Sequence, residues 1–129
     1  MLSGLNSVLE IGCADAFGTR LVQQTVKNVT AIDFDPLFID DVKRRYNNYW
    51  PLKLGVHDML TAPVDSFFDA AYCLDVLEHI LPKDEDIFIK NSIASPRNIS
   101  PVNKLCTVII SGLLINISRT TLSAVYFFI

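Results

Sequence analysis

The chain has 129 residues, of which 50% are hydrophobic and 19% are charged, so it is long enough for one compact domain and too short for two ordinary ones. Its net charge of -3 gives no reason to expect a nucleic acid or an anionic membrane as partner. Three cysteines without Cys-x-x-Cys spacing indicate neither a disulfide framework nor a zinc site. We therefore expect no metal and a reducing, cytoplasmic location.

Short apolar runs alternate with helical patterns over the first 95 residues. Strands are predicted at residues 7–11, 29–33, 52–58 and 68–75. Helices are predicted at 17–27, about 36–47 and 83–94, with a helical turn at 76–80. Asp35 followed by Pro36 is a favourable N-cap and first helical residue for the second helix. This alternation predicts an α/β fold with a doubly wound, mainly parallel sheet and helices on both faces.

A glycine or an aspartate stands where each of the four predicted strands ends. These residues are Gly12, Asp33, Asp58 and Asp75. In parallel sheets, ligands bind beyond the carboxyl ends of the strands, so all four are predicted at a binding edge. The alternative is that aspartate simply favours strand ends and helix caps.

The stretch "LEIGCADAFG" after the first strand carries an acid and then a run of small residues. Gly12 and Gly18 let the backbone approach a ligand closely. A dinucleotide motif, G-x-G-x-x-G, would need further glycines where Ala14 and Phe17 stand, so a phosphate ligand is disfavoured. Glu10 beside the turn instead suits a cationic group such as an amine or a sulfonium.

Four stretches together resemble class I S-adenosylmethionine-dependent methyltransferases across roughly residues 5–95. They are "VLEIGCADAFG", "AIDFDP", "HDM" and "FDAAYCLDVLEHI". The resemblance implies a Rossmann-like fold, S-adenosylmethionine as cofactor, and methyl transfer to an unidentified small-molecule or glycan acceptor. A general base is needed only if the acceptor arrives protonated.

The resemblance also implies a role for individual residues. The methionine part of the cofactor would be held by Glu10, Gly12, Cys13, Ala14 and Gly18. Asp33 would accept both ribose hydroxyls with Phe34 beside the adenine, and Asp58 would receive the adenine amino group with Met59 packing nearby. Leu74 and Asp75 would lie near the methyl group and the acceptor entrance, and His79 is the candidate general base.

The loop departs from the family at Ala14 and Ala16, where glycine is commoner. An alanine there is tolerated if its φ is negative and is costly if its φ is positive. Two alternatives to an active methyltransferase stay open. One is a truncated or inactive methyltransferase-like domain without turnover. The other is a nicotinamide-dependent Rossmann protein, which shares Asp33 but fails on the glycine spacing.

The composition changes after residue 95, since Arg97, Lys104 and Arg119 are the only charges that follow. We expect a cofactor-binding core at 1–95 and an atypical apolar tail at 96–129, with one further strand at about 104–111. The C-terminal strands of the sheet would then be incomplete. The uncharged run is too short and polar for a membrane-spanning helix, which favours a truncated or frame-disrupted end over an anchor.

Overall fold

The computed structural model describes residues 4–46, 52–95, 106–110, 113–118 and 121–126. Its strands are β1 (Ser7–Ile11), β2 (Asn28–Asp33), β3 (Lys53–Val56), β4 (Ala70–Cys73), β5 (Cys106–Ile110), β6 (Leu113–Ser118) and β7 (Thr121–Tyr126). Its helices are α1 (Thr19–Val22), α2 (Pro36–Arg45) and α3 (Glu85–Ala94), with a short 3₁₀ helix at Leu77–His79.

The described strands form one sheet in the order β3-β2-β1-β4-β5-β6-β7. Strands β1 to β5 pair with one another in parallel, and β6 and β7 continue the sheet from β5 as an antiparallel meander. This confirms the doubly wound, mainly parallel sheet. In the tail, β5 falls inside the predicted 104–111. The sequence predicted no strand beyond it, whereas the structure adds β6 and β7.

Apolar residues of β1 pack on both faces of the sheet, because successive side chains of a strand point to opposite sides. On one face Leu9 and Ile11 belong to a buried cluster with Phe88 of α3. On the other face Val8 packs with Val26, which follows α1. The expected helices on both faces are therefore present, and they hold β1 at the centre of the domain.

The first helix is much shorter than predicted. The pattern indicated a helix over 17–27 with Leu21 on the buried face, but α1 spans four residues and Leu21 is largely exposed. The amides of Gln24 and Thr25 donate to the carbonyls of Leu21 and Val22, three residues earlier, which is the pattern of a tighter turn than an α-helix. The chain continues in turns to Val26. No described helix has the length and apolar character needed to cross a bilayer.

The second helix begins as predicted. The Asp35 carboxylate accepts a hydrogen bond from the Leu37 amide at 2.8 Å, and Pro36 is the first helical residue. The helix buries Ile39 and Val42, and its last residue is Arg45; the expected end at residue 47 lies outside the described residues. This cap fixes the direction in which the chain leaves the carboxyl end of β2.

Candidate functional site

The turns that follow β1, β2, β3 and β4 lie at one edge of the sheet. The pairing register places Ile11 beside Ile32, and Asp33 beside Val56, so these strands end at the same level. On the other side of β1, Glu10 is level with Tyr72 of β4. The four residues predicted at a binding edge, Gly12, Asp33, Asp58 and Asp75, therefore follow or end neighbouring parallel strands at this edge.

The loop after β1 adopts a left-handed backbone at three positions. The φ angles are 73° at Gly12, 45° at Ala14 and 58° at Ala16. Glycine adopts this region freely, whereas an alanine Cβ crowds the following carbonyl. Of the two possibilities left by the sequence, the costly one applies, and both alanines store backbone strain beside the site.

Most of the amide groups of this loop are already engaged with the protein. Five of them donate to protein acceptors, namely those of Gly12, Cys13, Ala14, Ala16 and Phe17. The carbonyl of Ile32 accepts two of these hydrogen bonds, at 2.8 and 3.0 Å. A phosphate-binding loop must offer several unengaged amides to its ligand. This arrangement therefore argues against the nicotinamide-dependent alternative, as the glycine spacing does.

Gly12 also touches the turn that follows β4. A Cβ built on Gly12 would lie 2.5 Å from Cγ2 of Val76 and 3.3 Å from its Cγ1. Valine is branched at Cβ and has little rotamer freedom with which to move away. The side chain of Val76 thus fills the space that a larger residue at position 12 would need, and it locks the first and fourth turns together.

Glu10 is a buried carboxylate on the α1 side of the sheet. It accepts a hydrogen bond from the hydroxyl of Thr19, the first residue of α1. Burial raises the pKa of Glu10, and interactions with Thr19 and Tyr72 partly offset that effect. The buried Tyr72 hydroxyl makes no hydrogen bond of good geometry among the described residues. Burial and the nearby charge of Glu10 raise the pKa of Tyr72.

Cys13 is a buried thiol next to these acids. Burial, followed by the negative charges of Glu10 and Asp33, raises the pKa of Cys13 to about 12. The reactive form of a cysteine is its thiolate, so this side chain stays protonated and unreactive at neutral pH. At this position the side chain packs against Ala31 and Ile39.

Asp33 and Asp58 are placed differently. The Asp33 side chain is buried, and its two carboxylate oxygens accept hydrogen bonds from the amides of Ala14 and Asp35 at 2.9 and 3.0 Å. Asp58 is half-buried, and its Oδ1 accepts from the Leu60 amide at 2.8 Å within its own turn. Both carboxylates keep lone pairs that a ligand can use.

The remaining predicted residues differ in exposure. Phe34 is 72% exposed and Leu74 is 53% exposed, so both can contact a ligand at the edge. Asp75 is exposed, with a left-handed φ of 53°, and His79 is exposed in the 3₁₀ helix that follows. Exposure of this kind leaves the His79 ring accessible to an acceptor.

Two predicted cofactor residues have structural surroundings that the sequence did not indicate. Met59 is buried in the core cluster with Leu9 and Phe68, and its carbonyl accepts from the Asn91 side chain at 2.7 Å. Gly18 caps α1 with an ordinary φ of -65°, so its backbone does not require glycine. For both, a cofactor role stays a prediction that rests on the resemblance.

Several residues that shape the site were missed by sequence reasoning. They are Thr19, Tyr72, Val76 and Arg45. The Arg45 guanidinium donates to the Asp15 carbonyl at 3.1 Å, which ties α2 to the loop, although its "KRR" run is typical of a solvated face. The sequence carried no signal for Tyr72, because its position level with Glu10 depends on the register between β1 and β4. Within the described ranges, no group of three His, Cys, Asp or Glu side chains is placed to hold a metal ion.

Sequence comparison decides the family. A family model described as a methyltransferase domain matches residues 9–92, which is more than half of the chain. The chain belongs to the methyltransferase-domain family. No curated protein matches the chain at a significant level.

Solved structures share the fold of this methyltransferase domain. The N-methyltransferase NodS from Bradyrhizobium japonicum, in complex with S-adenosylhomocysteine, is 22% identical, with a TM-score of 0.64 over 81% of this chain and 52% of that one. An amino pentose methyltransferase from Micromonospora echinaspora, bound to S-adenosylmethionine, is 16% identical, with a TM-score of 0.65 over 81% and 42%. Magnesium protoporphyrin IX methyltransferase from Synechocystis, with bound S-adenosylhomocysteine, is 17% identical, with a TM-score of 0.64 over 83% and 47%. The chain spans about half the length of these proteins.

The strained alanines of the methyltransferase domain give a direct prediction. Ala14→Gly is expected to raise the free energy of unfolding by about 1 kcal/mol, because glycine removes the steric cost of a positive φ. Ala16→Gly is expected to change it by less than about 0.5 kcal/mol, because the buried Ala16 methyl group, which is worth about 0.8 kcal/mol, is lost. Urea unfolding of both variants measures the difference. A destabilised Ala14→Gly protein would contradict the strain.

Proposed function

We propose that this domain binds S-adenosylmethionine and transfers its methyl group to a small-molecule or glycan acceptor. One observation carries the proposal: three carboxylates, Glu10, Asp33 and Asp58, lie on neighbouring turns and strand ends at one edge of the sheet, beside a loop whose amides are largely engaged. Such an edge suits a ligand with a cationic end and hydroxyl groups. The solved relatives that contain S-adenosylmethionine or S-adenosylhomocysteine support the same interpretation.

The residues fit the parts of this cofactor. Glu10 would accept the ammonium group of the methionine part, in a charge-assisted hydrogen bond that burial strengthens. Asp33 would accept the two ribose hydroxyls on the lone pairs that its backbone bonds leave available. Phe34 would pack against the adenine, and Asp58 would accept the adenine amino group through the oxygen that Leu60 does not occupy.

The acceptor side would be formed by Leu74, Asp75 and His79. Bound at this edge, the cofactor would supply a methyl group on a sulfonium: the acceptor lone pair would form the new bond to the methyl carbon as the C–S bond breaks and the neutral thioether, S-adenosylhomocysteine, leaves. The protein then contributes mainly orientation, which is worth up to about 7–11 kcal/mol in favourable cases. The exposed His79 would take the proton from an acceptor that arrives protonated.

Titration with S-adenosylhomocysteine by calorimetry tests the cofactor assignment. We expect micromolar binding to the wild type and a loss of roughly 10- to 100-fold in Asp58→Asn, the range for a hydrogen bond to a charged group. Asparagine keeps the oxygen that accepts from Leu60, so the turn survives while the ligand meets an amide donor.

Asp40→Asn is the matched control, because Asp40 is an exposed acid within α2 and has no proposed contact with the ligand. Its affinity should equal that of the wild type. No heat with the folded wild type, or equal affinities for Asp58→Asn and the wild type, would overturn the assignment. A parallel titration with NADH should give no heat; binding there would revive the nicotinamide-dependent alternative.

A domain that binds the cofactor without turnover is the second candidate. The strain at Ala14 and Ala16 favours it, because both residues stand where the resembled family commonly has glycine. Transfer of a radiolabelled methyl group to a panel of amines and sugars separates the two. Transfer above the protein-free rate supports the enzyme, whereas tight cofactor binding without transfer to any member supports the second candidate.

We also propose a cytoplasmic location for the protein. Cys13 is a buried thiol outside any disulfide, as expected of a protein kept in a reducing compartment. Expression as a fusion with a fluorescent protein, followed by fractionation, tests this proposal; recovery in a secreted fraction would contradict it.

A further inference from the structure

Asp33 connects two turns of the site. Its Oδ2 accepts the amide of Ala14 at 2.9 Å, across 19 residues of sequence, and its Oδ1 accepts the amide of Asp35 at 3.0 Å. The side chain is only 5% exposed, so these hydrogen bonds are sheltered from water. One carboxylate therefore ties the loop after β1 to the turn that begins α2.

Ala14 needs such an anchor because its backbone is strained. The amides of Gly12 and Cys13 donate to the main-chain carbonyl of Ile32, which no substitution can remove. The amide of Ala14 donates to a side chain instead, at a residue whose φ is 45°. Without that acceptor, the alanine has a steric reason to leave the left-handed region.

We propose that Asp33 is a positioning residue for the loop that holds the methionine part of the cofactor, in addition to accepting the ribose hydroxyls. The inference rests on the proposed function for its ligand, but the contact between Asp33 and Ala14 exists without one. Asp33 holds Ala14 in its left-handed conformation, so the loop is preformed before the cofactor arrives. Loss of Asp33 then weakens binding twice, at the ribose and at the loop.

The two effects separate in a double-mutant cycle with Ala14→Gly. Glycine adopts a positive φ at no steric cost, so it compensates for the loss of the hydrogen bond by which Asp33 holds the loop. It does not compensate for the loss of the contact between Asp33 and the ribose. The effect of Ala14→Gly on affinity in the wild-type background, where the loop is already held, is the reference for the cycle. In the Asp33→Ala background the same substitution should restore affinity by roughly 5- to 30-fold.

Calorimetry with S-adenosylhomocysteine measures the cycle, and Asp58→Ala supplies the matched background. Asp58 bonds to Leu60 in its own turn and not to the loop, so Ala14→Gly should have the same effect on affinity there as in the wild type. Equal effects of Ala14→Gly in all three backgrounds would overturn the proposal, since Asp33 would then contribute to affinity only through the ribose hydroxyls.

Hydrogen exchange of the Ala14 amide, followed by NMR in the ligand-free protein, tests the anchor without any cofactor. Exchange should be slow in the wild type and at least about 10-fold faster in Asp33→Ala. If Asp33→Ala fails to fold, Asp33→Asn replaces it: asparagine has a single acceptor oxygen, so the amide of Ala14 or of Asp35 must lose protection. Unchanged protection of both would overturn the proposal. Asp33-dependent protection in a protein that binds no S-adenosylhomocysteine would retain the anchor and refute the cofactor assignment.

Discussion

Gly12→Ala is expected to lower the free energy of unfolding by about 2–4 kcal/mol, the largest effect on stability among the substitutions considered. Two costs add. The backbone at residue 12 has a φ of 73°, which is strained for any residue with a Cβ. The new Cβ would also lie 2.5 Å from Cγ2 of Val76. Urea unfolding monitored by circular dichroism gives the change directly, from the shift of the midpoint at constant slope.

Two further variants separate these costs. Gly18→Ala lies in the same loop, at a φ of -65° and with no atom within 4 Å of the position that its Cβ would take, so its stability should match or slightly exceed that of the wild type. Combining Gly12→Ala with Val76→Ala removes the clash and leaves the strain, so the double variant should lose less than the sum of the two single losses. Strict additivity would show that Val76 does not fill the space beside Gly12.

Glu10→Gln is expected to weaken the binding of S-adenosylhomocysteine by roughly 10- to 100-fold while stabilising the empty protein at neutral pH. The affinity falls because the charge-assisted bond to the ligand ammonium is lost. Stability rises because a buried charge is costly, whereas glutamine keeps an oxygen that accepts from the Thr19 hydroxyl. A single substitution therefore moves affinity and stability in opposite directions.

The pH dependence of the free energy of unfolding tests independently whether Glu10→Gln is stabilising. Burial raises the pKa of Glu10 above its ordinary value of 4.5, so the folded protein favours the protonated form. The wild type loses this stability as the pH rises from about 4.5 through the raised pKa, and the loss is complete above it. The stability advantage of Glu10→Gln should grow over the same window and then level. An advantage that is the same at about pH 4 and at about pH 8 would contradict the burial effect.

Local patterns in the sequence predicted much of the domain. The alternation of strands and helices gave β1 to β4 and α2, and the Asp35–Pro36 pair gave the start of α2. These features depend on neighbours in the chain. The prediction for α1 was wrong: the apolar spacing indicated a helix over 17–27, but after Val22 the amides of Gln24 and Thr25 donate to carbonyls only three residues earlier.

The details of the site could not be predicted, because they depend on contacts between distant segments. Nothing near Gly12 in the sequence indicates that Val76 stands against it, and nothing near Ala14 indicates its bond to Asp33. The sequence did present the two possible conformations at Ala14, but only the structure assigns a positive φ. The packing of Met59 into the core could not be predicted either, because it depends on contacts with distant segments.

The strand order has a consequence for how the domain folds. β1 emerges from the ribosome well before β4, yet the two strands pair, with Val8 beside Ala70. Each parallel pairing at the carboxyl edge closes a long loop before it gains contacts, which slows folding. The meander of β5, β6 and β7 joins neighbouring segments and can form quickly. The predicted binding edge is thus complete only when β4 has paired with β1. A nascent chain that ends before β4 lacks part of the binding site.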